Sequence, residues 1–194
     1  KINEDKKNLL LANMQKDIER INILITDISS YTLTQIEIDD EFFYYFDLID
    51  FLQDFLQSYS SNSKDIKIIF EHEKRPCKIY ANKDKLAQVF INLIDNSLSC
   101  SPRDSKILIQ QKIINKNVAI FLVDQGPGIP QDLENKIFER FYRDRITEQD
   151  RHSGLGLSIA KDIIESFSGS LKLINFKSQQ YLGACFEINL PLKE

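Results

Sequence analysis

The sequence predicts an α+β domain: a two-layer sandwich in which a mixed, mostly antiparallel sheet of about five strands carries three helices on one face, preceded by a long N-terminal helix. Three observations predict it. Apolar runs of strand length at 106–114 and 118–124 are separated only by Asn115-Lys116-Asn117, a connection short enough to force an antiparallel hairpin. Segments 47–59, 83–99 and 154–167 repeat apolar residues at helical spacing and keep one face polar. Before any of these, Leu11, Met14, Ile18, Ile21, Ile25 and Ile28 recur in alternating steps of three and four, the pattern of a bundle or coiled-coil seam.

Each element follows in order. A helix packed on the core of its own domain would show the same N-terminal stripe as a bundle helix, so both arrangements fit residues 1–34. The stripe breaks around Tyr31 to Asp40, which places a domain boundary near residue 35 and a second domain over 35–194. A short strand is expected at Gln35–Ile38. The helix from Asp47 to Tyr59 turns Leu48, Ile49, Leu52, Phe55 and Leu56 inward. Strands are expected at Ile66–Phe70 and Lys78–Ala81, then a helix from Lys83 to about Ser99, stopped ahead of Pro102. The hairpin strands leave Asp124 at a strand end. Residues Tyr142 to Ser153 are polar, charged and unpatterned, which suits a lid. The helix from Gly154 to Phe167 ends at Gly169, and strands follow at Ser170–Asn175 and Ala184–Leu190, where Phe186, Ile188 and Leu190 alternate.

Bulk properties exclude several classes of function. The 194 residues carry a net charge of −4, with a pI near 5.3, so there is no basic footprint for nucleic acid or an anionic membrane. Cys77, Cys100 and Cys185 are scattered without a C-x-x-C pair, which fits reduced thiols in a cytoplasmic setting better than disulfides or zinc. No apolar run approaches the roughly eighteen residues that span a bilayer, and the polar N-terminus has no signal-peptide pattern.

The chemistry is carried by three segments in a fixed order. Asn92 and Asn96 stand four apart on one helix face, offering neutral oxygen ligands for a hard cation such as Mg²⁺. Asp124-Gln125-Gly126-Pro127-Gly128 sets a carboxylate beside two glycines, where backbone can approach a base edge closely. Ser153-Gly154-Leu155-Gly156-Leu157 opens a helix, whose N-terminal N–H groups and dipole favour phosphate. Alone, each pattern is a common turn, cap or solvated face. Their conjunction points to an ATP site.

The segment from Asp84 to Gly169 resembles the catalytic ATP-binding domain of bacterial sensor histidine kinases, within the wider gyrase, chaperone, histidine kinase and MutL superfamily. Asp84 to Asn96 is similar to the family's N box, Asp124 to Pro130 to its first glycine box, Phe138-Glu139-Arg140-Phe141-Tyr142-Arg143 to its F box, and Ser153 to Lys161 to its second glycine box. The N-terminal helix resembles the second helix of the family's dimerisation hairpin. The resemblance implies that Asp124 accepts from the adenine amino group, that Asn96 binds Mg²⁺, and that Asn92 contacts phosphate or the metal's surroundings one turn earlier. It further implies that Gly126 and Gly128 pass under base and ribose, and that Gly154, Leu155, Gly156 and Leu157 cradle phosphates. Phe138 and Phe141 border the nucleotide, and Arg143 reaches the terminal phosphates as phosphoryl transfer requires. The implied catalytic residues are Asn92 and Arg143, and the implied cofactors are ATP and Mg²⁺. Implied partners are a response-regulator receiver domain and a phosphoacceptor helix of the same or a partner subunit, in a homodimer that is the cytoplasmic part of a membrane-bound sensor.

Departures from the family pattern are local. Ser99 and Cys100 stand where the family carries a lysine and an aromatic residue, and His152 stands where it has an extra glycine. Neither His72, read as an exposed turn residue, nor His152, read as a solvated lid residue, lies on a bundle helix, so the acceptor histidine is expected on a helix outside these 194 residues. Asn92 is an amide where the hydrolysing branches of the superfamily carry a glutamate base, and an amide has no basic oxygen for water. That disfavours a chaperone-type ATPase. A regulatory ATP-binding module, such as an anti-sigma-type serine kinase or a degenerate kinase, fits the same motifs and stays open at this point.

Overall fold

The computed structural model describes residues 42–62, 67–102, 104–142, 153–175 and 181–193, together with Lys6, Lys7, Leu10, Leu11, Met14, Ile18, Ile21 and Ile25. The eight N-terminal positions are helical, and the seam residues Leu10, Leu11, Met14, Ile18, Ile21 and Ile25 are between 50% and 58% exposed, so the helical spacing holds and this face is uncovered. Ile28, the strand expected at Gln35–Ile38 and the boundary near residue 35 lie outside the described residues.

The strands are β1 (Tyr44–Asp47), β2 (Lys67–Glu71), β3 (Lys78–Ala81), β4 (Lys106–Ile114), β5 (Asn117–Val123), β6 (Ser170–Ile174) and β7 (Cys185–Pro191), and the helices are α1 (Leu48–Asn62), α2 (Lys83–Cys100) and α3 (Gly156–Ser166). Five strands form the main sheet in the order β2-β4-β5-β7-β6. The pairing β2·β4 is parallel and the other three are antiparallel, giving the expected mixed sheet. The parallel pair is possible because α2 supplies the long crossover between its strands. β3 departs from the expectation of one sheet. It pairs with β1, a strand the sequence did not announce, in a separate two-stranded ribbon.

Local chemistry explains the element ends. Asp47 closes β1 and starts α1: its Oδ1 accepts from Ile49 N at 2.8 Å and its Oδ2 from Cys77 N at 2.8 Å. Asn82 caps α2 by accepting from Asp84 N at 2.9 Å and Lys85 N at 3.1 Å. Asn115 takes a left-handed φ of 58° in the β4–β5 turn, a conformation asparagine tolerates. The end of α3 differs from expectation: Ser168, not Gly169, is left-handed at φ 59°, and Gly169 is required because a Cβ there would sit 2.7 Å from Leu190 and against the carbonyl of Asn189.

The helices cover one face of the sheet. Leu86, Val89, Phe90, Leu93 and Ile94 of α2 and Ile159, Ile163 and Ile164 of α3 are buried with Ile107, Ile109, Ile120, Leu122, Phe186 and Ile188 of the sheet in one continuous core. Truncating a fully buried ring such as Phe90 to alanine in such a core costs about 3–5 kcal/mol. The core therefore fixes where α2 and the end of β5 stand relative to one another.

Candidate nucleotide site

The apolar stripe of α2 sets which residues face the site. With Leu86, Val89, Phe90, Leu93, Ile94 and Ser97 buried, Asn92 and Asn96 fall at the half-buried margin of that face, beside α3. Asn92 Nδ2 donates to the carbonyl of Gly156 at 3.1 Å, tying α2 to the first residue of α3. A Cβ on Gly156 would meet Asn92 at 3.7 Å, an ordinary van der Waals contact, so the helices pack closely here without requiring glycine.

Asp124 follows the last residue of β5 and is 2% exposed. Its backbone continues the sheet pairing past the strand: Asp124 N donates to Ala184 O at 3.1 Å and Gly183 N to Asp124 O at 3.2 Å. The carboxylate is asymmetric. Oδ1 accepts from Gly126 N at 2.8 Å and from Ala184 N at 2.9 Å, and the Ser97 hydroxyl stands against the same carboxylate. Burial pushes the Asp124 carboxyl above its ordinary 3.8, opposed by the two backbone N–H groups and the Ser97 hydroxyl.

Around it the chain is fitted closely. A Cβ on Gly126 would lie 3.0 Å from the carbonyl oxygen of Cys100 at the end of α2, so the loop needs glycine there to reach the helix end. Gly128 turns with φ 77°. An open cleft of about 500 Å³ lies between the 127–131 loop, residues 173–175 of the β6 end and residues 182–184. It meets the Asp124 neighbourhood through Gly183 and Ala184, while Asn92 and Asn96 lie outside its lining.

The remaining predicted residues separate into two groups. Phe138 is half-buried, edge-on to Phe186 with ring centroids 6.4 Å apart, and Lys161 Nζ stands 5.3 Å over its ring, so it anchors the segment. Phe141 is 59% exposed with a left-handed φ of 63°, and its N–H donates to Gly154 O at 3.0 Å. Gly154 is left-handed as well, at φ 80°. α3 begins at Gly156, two residues later than expected, because Gly154 is left-handed and cannot join the helix; Leu155 N donates to Ser153 Oγ at 3.1 Å across this turn. The Leu155 side chain is buried in the core and Leu157 packs half-buried against it, so only their backbone faces solvent-side chemistry. The first N–H groups of α3 have no acceptor within the helix, and a helix end of this kind favours negative charge. Arg143 and His152 lie outside the described residues.

Ser99 and Cys100 are exposed, and Ser99 Oγ donates back to the Asn96 carbonyl at 2.8 Å. His72 differs from expectation: it is half-buried, with Nδ1 3.2 Å from Glu73 O and its ring 5.0 Å from Phe70. Three residues escaped the sequence reading. Ala184 supplies a donor to Asp124, and Gly183 is needed because a Cβ there would strike the Asp124 carboxylate and lie 2.6 Å from Gly126 N. Ser97, fully buried one residue after Asn96, faces the same carboxylate. A lone glycine just ahead of an alternating strand was the available signal for Gly183.

The residues present fit a purine nucleotide with a hard cation. Asn96 offers an amide oxygen at the rim, Asp124 a buried acceptor, and α3 an anion-binding end. Residues 81–194 match the model of the histidine kinase-, DNA gyrase B- and HSP90-like ATPases. The chain belongs to this ATPase family. Among curated relatives of this ATPase-family chain, the sensor protein KdpD of Clostridium acetobutylicum is 30% identical over 197 residues, covering 98% of this chain and 21% of that protein. The chain spans 11% to 47% of the length of the curated relatives it matches. A solved mycobacterial sensor histidine kinase, MprB, superposes with a TM-score of 0.65 at 25% identity over 77% of this chain and 97% of that one. Histidine kinase ThkA in complex with the response regulator TrrA shares the fold at a TM-score of 0.62 and 23% identity, over 89% of this chain and 50% of that one. No helix among the described residues is long and apolar enough to cross a membrane.

Proposed function

We propose that this chain is the ATP-binding catalytic portion of a two-component sensor histidine kinase, with residues 1–34 contributing the second helix of a dimerisation hairpin and 35–194 the nucleotide-binding domain. The observation that carries the reading is the Asp124 carboxylate, buried at the end of β5 and oriented by two backbone N–H groups on one oxygen. A fixed acceptor of this kind matches the exocyclic amino group of adenine and opposes the carbonyl of guanine.

The other residues take their parts around the phosphates. Asn96 would hold Mg²⁺ through its amide oxygen, and the ion when bound neutralises phosphate charge. Asn92 orients the α3 end by its bond to Gly156. The N–H groups of Gly156 and Leu157 lie where phosphate oxygens are favoured, Gly126 and Gly128 pass beneath the base, and Phe138 and Phe141 frame the segment leading to Arg143. Arg143 contributes positive charge to the terminal phosphate.

The reaction is transfer of the γ-phosphate of ATP to the imidazole nitrogen of a histidine on a helix, giving ADP and phosphohistidine, for relay to a response-regulator aspartate. An amide at position 92 suits this acceptor, since imidazole is already a nucleophile and needs no base of the strength water demands. The acceptor helix comes from the same or a partner subunit of a homodimer, and the exposed seam of Leu11, Met14, Ile18, Ile21 and Ile25 is the surface for such pairing. The ThkA–TrrA complex supports a receiver domain as the downstream partner. ATP as phosphodonor places the work on the cytoplasmic side. Radiolabelled ATP tests the reading: Mg²⁺-dependent, acid-labile label is expected on a supplied helical hairpin bearing the cognate histidine and not on this chain alone. Label appearing on His72 or His152 would overturn the assignment of the acceptor.

A further inference from the structure

α2 carries a carboxylate one turn from the residue that meets the phosphate-favouring end of α3. Asp95 follows Asn92 by three residues and precedes Asn96 by one. On a helix of 3.6 residues per turn it lies about 60° round the axis from Asn92, and residues three apart are side-chain neighbours. Asn92 in turn donates to the carbonyl of Gly156, the first residue of α3. A carboxylate turned to that side would compete for the same N–H groups as phosphate and repel it.

Tyr59 decides which way Asp95 turns. Its hydroxyl donates to Asp95 Oδ1 at 2.6 Å, the length of a charge-assisted O–H···O⁻ bond. Tyr59 closes a row of rings on α1, with Phe51 and Phe55 centroids 6.1 Å apart and Phe55 and Tyr59 centroids 5.8 Å apart. Phe51 and Phe55 also lie against Phe90 of α2, at 6.5 and 6.0 Å, so the row is fixed at the interface of the two helices. The hydroxyl is thereby held within reach of Asp95. Both residues are half-buried, a setting in which charge is felt more strongly than in bulk water. Without the bond, the carboxylate is free to take a rotamer directed toward Asn92.

Resting on the nucleotide reading of the site, we propose that Tyr59 is a positioning residue for the phosphate end: by holding Asp95 toward α1 it keeps the carboxylate of α2 away from the phosphates, and it does so without touching the nucleotide. Base recognition is independent of this bond. Asp124 adjoins Ser97, which stands on the far side of the helix from Asp95.

Calorimetry with ATP and with adenosine, which lacks phosphates, tests this on wild type, Tyr59→Phe, Asp95→Asn and the double variant. Tyr59→Phe keeps the ring and frees the carboxylate, so ATP should weaken about fivefold, the effect of a unit charge moved several ångströms nearer to phosphate, while adenosine binds as before. Asp95→Asn keeps an acceptor for Tyr59 and should bind ATP at least as well as wild type. The double variant decides. With the charge gone it should bind ATP within about twofold of wild type, although it lacks the bond as Tyr59→Phe does. A double variant as weak as Tyr59→Phe overturns the proposal and makes the bond a fastening of the helix alone. So does a Tyr59→Phe that binds ATP like wild type, or that loses adenosine in proportion. If Tyr59→Phe fails to fold, Asp95→Lys reads the same reach: ATP should tighten with adenosine unchanged, and an unchanged ATP affinity overturns the placement of residue 95 beside the phosphates. A wild type that binds neither ATP nor adenosine overturns the nucleotide site itself.

Discussion

Replacing Asp124 by asparagine isolates a single oxygen. The amide oxygen of the new side chain can still accept from Gly126 N and Ala184 N, which meet Oδ1 at 2.8 and 2.9 Å, so the loop keeps its geometry. What changes is the position of Oδ2, where an acceptor becomes an N–H donor facing the amino group of adenine. One charge-assisted bond is lost and a buried donor is left against another donor, which costs about 1–3 kcal/mol. At 1.36 kcal/mol per tenfold, that is roughly a 5- to 150-fold weaker ATP affinity. The same N–H is complementary to the carbonyl of guanine, so GTP should hold its affinity or gain, and the ratio of the two should fall from both sides. Titration calorimetry of ATP and GTP against wild type and Asp124→Asn, with a melting curve of each without nucleotide, measures it. An unchanged ATP-to-GTP ratio in a folded variant would refute the placement of the base against Asp124.

Three further outcomes follow from the same geometry. Asn96→Ala should abolish the tightening of ATP by Mg²⁺ while leaving metal-free affinity in place, and calorimetry with and without the ion reads the difference. Gly183→Ala should lower thermal stability and ATP affinity together, by more than about 2 kcal/mol in stability, because its Cβ would strike the Asp124 carboxylate; a melting temperature equal to wild type counts against the close fit. Burial raises the Asp124 carboxyl above its ordinary 3.8, so the ionised form proposed to meet adenine is lost as pH falls through that raised value. ATP affinity should therefore decline on acidification before ordinary carboxylates titrate, and the affinity of Asp124→Asn should lack this step.

Much of the fold was legible because its signals were local. The β4–β5 hairpin, the stripe of α2 and the alternation in β7 are each set by neighbours in sequence, and they lie within a residue or two of where they were expected. β1 was not legible. Tyr44 and Tyr45 are exposed and the strand owes its existence to pairing with β3 more than thirty residues away, a contact that no local period announces. The start of α3 lies later than expected because Gly154 turns left-handed, a conformation that its sequence neighbours do not announce, and the helix begins at Gly156.

The site divides along the same line. Asn92, Asn96, Asp124 and the glycines were visible as types at spacings, because backbone reach and carbonyl chemistry demand them in order. Ser97 and Ala184 were not, because serine and alanine are unremarkable on a helix or at a strand entrance and acquire meaning only from the carboxylate opposite. α2 shows how tightly these roles are sorted. Over three consecutive residues, Asp95 accepts from Tyr59 Oη at 2.6 Å on the α1 side, Asn96 is half-buried, and Ser97 is fully buried against Asp124. The helical advance per residue is what separates them. The bond to Tyr59, whose hydroxyl is pushed to a higher pKa first by burial and then by Asp95, fixes the rotation of α2 about its axis. The positions of Asn96 and Ser97 are therefore held in part from the opposite side of the helix, by a contact remote from the Asp124 loop.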